Sequence, residues 1–141
     1  MQVENILQSK GRAVTTIAAR ATIAEAVDLL NTHRIGAVVV MEGKRVAGIL
    51  SERDVVRHLG TDWAALSSKP VRDVMTKDVV TAGRYATVAE LMERMTERRI
   101  RHLPIVENGD LVGIVSIGDV VKRKIEETEQ EASALKEYIA S

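Results

Sequence analysis

An internal repeat limits the folds open to this chain more than any other feature of its sequence. The segment TIAEAVDLL, which begins at Thr22, matches TVAELMERM, which begins at Thr87, and this offset of 65 residues continues without a gap to Arg57 and Lys122. One unit holds few apolar residues and would be marginally stable alone, so the two copies are expected to pack together. The identical pairs include Thr22/Thr87, Glu25/Glu90, Ile35/Ile100, Gly48/Gly113, Ser51/Ser116, Asp54/Asp119 and Val56/Val121.

Capping boxes predict where the first helix of each unit begins. Thr22 and Glu25 form a T-x-x-E sequence, and Thr87 and Glu90 form the same sequence in the second repeat. In such a box each side chain accepts a hydrogen bond from the backbone N–H of the other residue, so a helix starts there. Apolar residues then recur at the spacing of an amphipathic helix.

Two strands and a second helix are predicted after the first helix. The apolar segments 37–41 and 46–50 flank a Glu-Gly-Lys turn and predict a hairpin, and Asn-Gly at 108–109 is the equivalent turn in the second repeat. A helix is then expected to begin at Ser51 and, in the second repeat, at Ser116. A further short β-like segment precedes each capping box, at 13–17 and 79–81.

The order strand, helix, strand, strand, helix therefore occurs twice. It predicts an α+β fold in which helices cover small sheets, with approximate two-fold symmetry between the units. The predicted organisation is a first repeat at 1–59, a linker at 60–70, a second repeat at 71–123 and a C-terminal helical extension at 124–141.

The C-terminal extension carries a heptad-like seam with charged flanks. Such a seam is typical of a helix that packs on its own domain or on a second copy in a dimer, and the sequence leaves both alternatives open. The seam residues are Val121, Ile125, Thr128, Ala132, Leu135 and Ile139.

Composition narrows the classes of function. Lys+Arg and Asp+Glu are equal at 20 each, and this balance disfavours a nucleic-acid-binding protein. The chain has no cysteine, which excludes disulfides and Cys-ligated zinc, and its histidines lack metal-ligand spacing. No apolar run approaches the ~20 residues that span a bilayer, and the N-terminal residues carry no signal-peptide core. We therefore expect a soluble, cytoplasmic protein without metal or membrane contact.

The repeated unit resembles the CBS domain (cystathionine β-synthase domain) family. Gly48-Ile-Leu-Ser-Glu-Arg-Asp54 and Gly113-Ile-Val-Ser-Ile-Gly-Asp119 match the family pattern Gly-h-h-Ser/Thr-x-x-Asp, where h is apolar. The ordered set of motifs carries the resemblance, because it occurs twice and covers nearly all of the chain except the linker and the extension. The other matching segments are Ile35-Gly-Ala-Val-Val-Val40, Arg101-His-Leu-Pro-Ile105 and Val71-Arg-Asp-Val-Met75.

The resemblance implies two clefts between the paired repeats, each able to hold an adenosine-containing ligand. The implied ligands are AMP, ADP, ATP, S-adenosylmethionine and, in some members, NAD(H). Asp54 and Asp119 would bind the ribose hydroxyls, and Ser51 and Ser116 would lie near the ribose or the phosphate. The implied walls of the clefts are Thr16, Ile17, Gly36, Ala37, Val38, Val80, Thr81, Arg101, His102, Leu103 and Pro104.

Elementary chemistry supports these roles. A carboxylate accepts two charge-assisted hydrogen bonds from a vicinal diol. Ser51 and Ser116 precede predicted helices, whose free N–H groups favour a phosphate, and Arg53 adds a positive charge in the same turn. Apolar strands offer a slot for a base. The structural alternative is that each Ser-x-x-Asp sequence is only a helix cap, with Asp in place of the usual Glu.

The two halves differ at one wall of the implied clefts. The first half has the small neutral pair Gly36-Ala37 where the second has Arg101-His102. The second wall can offer positive charge to a phosphate, while the first leaves room. We therefore expect two non-equivalent sites, unless Arg101 is a plain surface residue.

The resemblance favours a regulatory ligand-sensing module that reports adenylate or redox state. Ligand binding would shift the equilibrium of a separate effector protein, and a flat homodimer is the implied assembly. The alternative is a structural homodimerisation module with degenerate clefts. An enzyme acting on nucleotides is disfavoured, because no general base accompanied by a second catalytic group is found, so no catalytic residue is predicted.

Overall fold

The structure, a computed structural model, describes residues 1–140. Ser141, the last residue of the predicted C-terminal extension, lies outside the described residues. The elements in chain order are α1 (Val3–Lys10), β1 (Thr16–Ala18), α2 (Ile23–His33), β2 (Ala37–Glu42), β3 (Arg45–Ser51), α3 (Glu52–Leu59), α4 (Trp63–Ser67), a 3₁₀ helix (Val71–Asp73), α5 (Val88–Arg98), β4 (His102–Glu107), β5 (Asp110–Ser116) and α6 (Ile117–Ala140).

The chain forms two compact units, and neither is a continuous segment. The first unit combines Met1–Arg12 and Thr81–Glu107 with the residues from Gly113 onward, and the second combines Ala13–Val80 with Asn108–Val112. Each unit thus contains most of one repeat together with the opening segment of the other repeat. The repeat boundaries predicted from the sequence follow repetition rather than compactness, and they stay a prediction.

A three-stranded sheet forms the centre of the second unit. β1 pairs in parallel with β2, and β2 pairs antiparallel with β3. The run Ala37–Val40 is buried throughout, because α2 packs on β2. Ile23, Ala26 and Leu30 on α2 join the core of this unit, as their helical spacing predicts.

Met75 and Thr76, which follow the 3₁₀ helix in the chain, pack against β3. Thr76 and Ile49 exchange backbone hydrogen bonds of 2.9 and 3.1 Å. A Cβ atom at Gly48 would lie 2.6 Å from Met75 Sδ and 2.7 Å from the carbonyl oxygen of Thr76, so only glycine permits this close approach. The contact fixes Thr76 beside the start of α3.

The first unit repeats this arrangement with α1. β4 and β5 form a two-stranded sheet, and α6 packs against α5 and α1. A Cβ atom at Gly113 would lie 2.6 Å from Leu7 Cδ2. Leu7 therefore stands to Gly113 as Met75 stands to Gly48. This agrees with the sequence, in which Val3-Glu-Asn-Ile-Leu7 pairs with Val71-Arg-Asp-Val-Met75 after a short length difference between the repeats.

The helix caps form as the sequence predicts. Glu25 N donates to Thr22 Oγ1 at 3.2 Å, and Glu90 N donates to Thr87 Oγ1 at 3.1 Å. The glutamate side chains complete both boxes by accepting from the threonine backbone. The predicted α+β fold with two repeats and a C-terminal helix is confirmed.

Three details differ from the sequence-based expectation. Within residues 1–140, no strand forms at 79–81, and its place is taken by one parallel bridge between Ala82 and Ile105. The first strand lies at Thr16–Ala18 rather than at 13–17. The predicted linker contains α4, because Asp62 caps it through Ala65 N at 3.1 Å and Leu66 is buried in the core.

Candidate functional site

The first candidate carboxylate, that of Asp54, accepts hydrogen bonds from protein groups at both of its oxygens. Its Oδ2 accepts hydrogen bonds from Ser51 N at 2.9 Å and from Ser51 Oγ at 3.1 Å. Its Oδ1 accepts from Thr76 Oγ1 at 3.3 Å. The residue is only 8% exposed. The Ser-x-x-Asp sequence therefore forms a helix cap here, and a ligand would have to compete for both carboxylate oxygens.

The second candidate carboxylate, Asp119, is more open. Its Oδ2 accepts from Ser116 N at 2.9 Å and from Lys10 Nζ at 2.6 Å, and Ser116 Oγ accepts from Asp119 N at 3.2 Å. The Asp119 side chain keeps 25% of its exposure. The hydrogen bonds from Ser116 N and from Lys10 both end at Oδ2, so Oδ1 is the more open oxygen for a ligand.

The charge state of Asp119 suits it to accept hydrogen bonds. Burial raises the pKa of its carboxyl group, while the hydrogen bonds from Lys10 and from the Ser116 backbone lower it. The lowering effects prevail together, so the pKa of Asp119 lies below its ordinary value. The group is ionised at neutral pH and can bond the hydroxyls of a sugar.

Lys10 is a site residue that the sequence did not reveal. It lies in the last turn of α1, and its Nζ also donates to the carbonyl oxygen of Ile114 at 3.0 Å. Lys10 and Asp119 are 109 positions apart in the chain. The useful signal, the match between Val3–Leu7 and Val71–Met75, ends before Lys10.

A small charged cavity surrounds this ion pair. Its volume is about 60 Å³, far below the roughly 300 Å³ or more of typical ligand pockets. Three of its lining side chains are basic and two are acidic. The lining residues are Ile6, Ser9, Lys10, Asp119, Lys122, Arg123 and Glu126.

The other predicted site residues of the second unit lie around Ser51. Ala37 is the partner of Ser51 between β2 and β3, and the carbonyl oxygen of Gly36 accepts from Glu52 N at 3.0 Å. Ala37 and Val38 are buried strand residues, and Arg53 is exposed. Thr16 and Ile17 lie on β1 opposite Val39 and Val40, and Val80 belongs to the same unit.

The remaining predicted residues belong to the first unit. The carbonyl oxygen of Arg101 accepts from Ile117 N at 2.8 Å, which places Arg101 at the start of α6. His102 is half-buried, and Leu103 and Pro104 are buried on β4. The carbonyl oxygen of Thr81 accepts from Arg94 Nη1 at 3.1 Å. Each unit thus gathers one Ser-x-x-Asp cap and one strand end.

Residues 1–140 contain neither a candidate metal site nor a membrane-spanning helix. No group of three or more His, Cys, Asp or Glu side chains able to hold a metal ion occurs within residues 1–140. In the same range, no helix has both the length and the apolar character needed to cross a membrane.

Two copies of one α+β unit, each ending in a hairpin and a Ser-x-x-Asp helix cap, define a tandem-repeat module. The family model of the CBS domain matches residues 6–61 and 71–126. The chain belongs to the CBS domain family.

Known relatives share the whole tandem arrangement. The CBS domain-containing protein CBSX3, mitochondrial, of Arabidopsis thaliana is 32% identical over 146 residues, which cover 97% of this chain and 71% of the relative. The crystal structure of the CBS-domain containing protein ATU1752 from Agrobacterium tumefaciens is 45% identical with a TM-score of 0.83, covering 87% of this chain and 92% of that protein.

Two similar solved structures contain adenosine ligands. The CBS domain protein PAE2072 from Pyrobaculum aerophilum was solved with AMP; it is 29% identical with a TM-score of 0.74, over 84% of this chain and 89% of that one. The CBS domain pair of protein MJ0100 was solved with 5′-methylthioadenosine and S-adenosyl-L-methionine; it is 25% identical with a TM-score of 0.78, over 90% and 98%.

Proposed function

We propose that this chain is a regulatory module that binds an adenosine-containing nucleotide through Asp119 and transmits its presence to a separate protein. AMP, ADP, ATP and NAD(H) are the candidate nucleotides. The observation that carries the proposal is the state of Asp119: its carboxylate is ionised and part-exposed, and its hydrogen bonds from Ser116 N and Lys10 Nζ both end at Oδ2, which leaves Oδ1 as the more open oxygen. The adenosine ligands bound to PAE2072 and to the MJ0100 domain pair support it.

The two carboxylates have different roles in this proposal. Asp119 offers an oxygen to a ribose hydroxyl without breaking the cap at the start of α6. Asp54 can offer an oxygen only by giving up a bond to Ser51 or Thr76. Because a buried acceptor or donor that loses its partner costs about 1–3 kcal/mol, binding at Asp54 starts at a disadvantage. Non-equivalent sites were also expected from the sequence.

The remaining roles predicted from the sequence are kept as proposals. The strand residues around Ser51 and Ser116 would contact the base, and the exposed Arg101 would approach a phosphate. A binding role rather than catalysis is proposed, because neither carboxylate is paired with a general base. The effector protein and a cytoplasmic location stay predictions.

A titration of ligands against carboxylate variants tests the proposal. Calorimetry with AMP, ADP, ATP, S-adenosylmethionine, NAD and NADH would be run on the wild type, Asp119→Asn and Asp54→Asn. We expect Asp119→Asn to weaken the best ligand by about tenfold or more, since a hydrogen bond to a charged group contributes ~1.5–3 kcal/mol. The matched variant Asp54→Asn should lower the melting temperature and leave binding nearly unchanged.

Two outcomes would contradict the proposal. If Asp54→Asn removes binding and Asp119→Asn does not, the ligand carboxylate has been assigned to the wrong repeat. If no ligand raises the melting temperature of the wild type at millimolar concentration, the module does not sense these nucleotides. The structural dimerisation role would then replace the sensor role.

We also propose that the chain forms a homodimer, and α6 supplies one surface for it. Ile125, Leu135 and Ile139 of the predicted seam are 53%, 60% and 74% exposed. A second apolar surface is a groove of about 500 Å³ beside α2 and α3, where Val56 is 68% exposed. Exposed apolar surfaces of this kind favour association, and a heptad seam complements a second copy of itself.

A further inference from the structure

Lys10 occupies one of the two Asp119 oxygens that a ribose diol would bind, Oδ2. Its ammonium group donates to Asp119 Oδ2 at 2.6 Å and to the carbonyl oxygen of Ile114 at 3.0 Å. An ammonium group has three donors, so these two bonds leave one donor for another acceptor. The Lys10 side chain is 33% exposed and can therefore change its partners.

The first hydroxyl of a ribose diol can bind Asp119 Oδ1, and the second hydroxyl then competes with Lys10 for Oδ2. The small volume of the cavity, about 60 Å³, means that a ligand has to move a side chain, and Lys10 is the lining side chain that is bonded to the carboxylate. Once Lys10 loses Asp119, its positive charge needs a new anion. A ligand that carries a 5′-phosphate supplies this anion, while neutral adenosine supplies none and S-adenosylmethionine places a sulfonium of the same sign at its 5′ position.

The other two basic side chains of the cavity, Arg123 and Lys122, differ from Lys10 because the cation bonded to Asp119 is Lys10. Arg123 donates to Glu126 Oε2 at 3.2 Å and to the carbonyl oxygen of Asn5 at 3.0 Å, so it is already committed. Lys122 lines the same cavity, and the hydrogen bonds to Asp119 come from Lys10 and Ser116. Lys122 therefore provides a matched control of equal charge.

We infer that Lys10 determines ligand specificity at the Asp119 site by selecting phosphorylated adenosine ligands over neutral and sulfonium ones. This inference rests on the proposed nucleotide-binding function. Lys10 acts as an exchangeable partner: it pairs with Asp119 before binding and with the ligand phosphate afterwards. Asp119 recognises the ribose, and Lys10 reports whether a phosphate accompanies it.

Calorimetric titration of AMP, adenosine and S-adenosylmethionine tests the inference. The variants are Lys10→Met, which keeps the length of the side chain, Lys10→Arg, which keeps its charge, and Lys122→Met. We expect the wild type to bind AMP more tightly than adenosine, and Lys10→Met to lower the ratio of the two affinities by about tenfold. Lys10→Met should also tighten S-adenosylmethionine, and Lys10→Arg should retain most of the preference for AMP.

The outcomes separate this inference from the proposed function. If Lys10→Met changes AMP and adenosine by the same factor, the ligand still binds but Lys10 does not select it. If Lys122→Met lowers the ratio as much as Lys10→Met, the total charge of the cavity sets the preference and the assignment to Lys10 is wrong. If neither the wild type nor Lys10→Met binds any of the three ligands, the proposed function fails and this inference fails with it. Thermal denaturation of every variant confirms that it is folded.

Discussion

At the scale of single residues, the two Ser-x-x-Asp sequences form the same helix cap but differ in how accessible the carboxylate is to a ligand. Both form helix caps through the serine and the aspartate. The difference comes from the hydrogen-bond donor that another segment of the same unit supplies to each carboxylate. Thr76 is a neutral donor that binds Asp54 Oδ1, the oxygen that Ser51 leaves open. Lys10 is a cation that binds Asp119 Oδ2, the oxygen that Ser116 N already binds. The same Ser-x-x-Asp pattern therefore holds carboxylates of different availability.

The close approach at two strand glycines, Gly48 on β3 and Gly113 on β5, leads to a stability prediction. We expect Gly48→Ala to lower the free energy of unfolding by about 2–3 kcal/mol and Gly113→Ala by about 1 kcal/mol. The Cβ atom at Gly48 would meet the backbone carbonyl of Thr76 at 2.7 Å, whereas the one at Gly113 meets only the movable end of Leu7 at 2.6 Å. Urea denaturation measures both values.

Gly83→Ala is the matched control for this comparison. Its nearest atom would lie 3.7 Å away, so the substitution should be close to neutral. Equal losses at Gly48 and Gly113 would show that the backbone at Thr76 can move aside as easily as the Leu7 side chain.

At the scale of elements, α6 belongs to its unit only in part. Its first turns pack against α5 and α1, and Val120 is its buried residue. Residues 128–140 are exposed. A helix end with exposed apolar residues gains little from its own unit, because most helical stability comes from packing an apolar face. The sequence left open whether the seam packs on its own domain or on a second copy of the chain. The exposure of the seam within its unit favours packing on a second copy.

Charge placed on the seam should separate the proposed dimer. Leu135→Glu with Ile139→Glu is expected to convert the dimer to a monomer, because like charges would face each other across the interface. Lys136→Glu changes a residue between them and should leave the dimer intact. Light scattering after size-exclusion chromatography measures the mass of each species.

The same measurement locates the interface if α6 does not form it. A dimer that survives the double substitution and dissociates in Val56→Glu would place the contact at the groove beside α2 and α3. A wild type that is monomeric at every concentration would refute the dimer proposal.

At the scale of the whole molecule, each unit depends on a segment that the repeat pattern assigns elsewhere. Val3, Ile6 and Leu7 of α1 are buried in the first unit, together with the core of the second repeat. The two halves of the sequence are therefore not the two halves of the structure. This explains why the partners of Asp54 and Asp119 come from segments outside the predicted hairpins.

Loss of α1 should destabilise the unit that contains the second repeat. We expect Leu7→Ala to cost about 2–5 kcal/mol, since it removes a fully buried leucine, while the exposed neighbour Gln8→Ala should be nearly neutral. Hydrogen exchange should show the loss of protection in residues 88–107 more strongly than in residues 23–50. The opposite distribution would contradict the division into these units.

The sequence by itself determined the fold class, the family and the caps, because repetition, helical periodicity and capping are local patterns that can be seen in the chain. It also indicated Asp54 and Asp119 as candidate carboxylates. Only the tertiary structure decided which of them is open, since that depends on Thr76 and Lys10, which are 22 and 109 positions away from them. Whether a hydrogen-bond acceptor is already occupied depends on contacts between distant segments, and no local pattern specifies them.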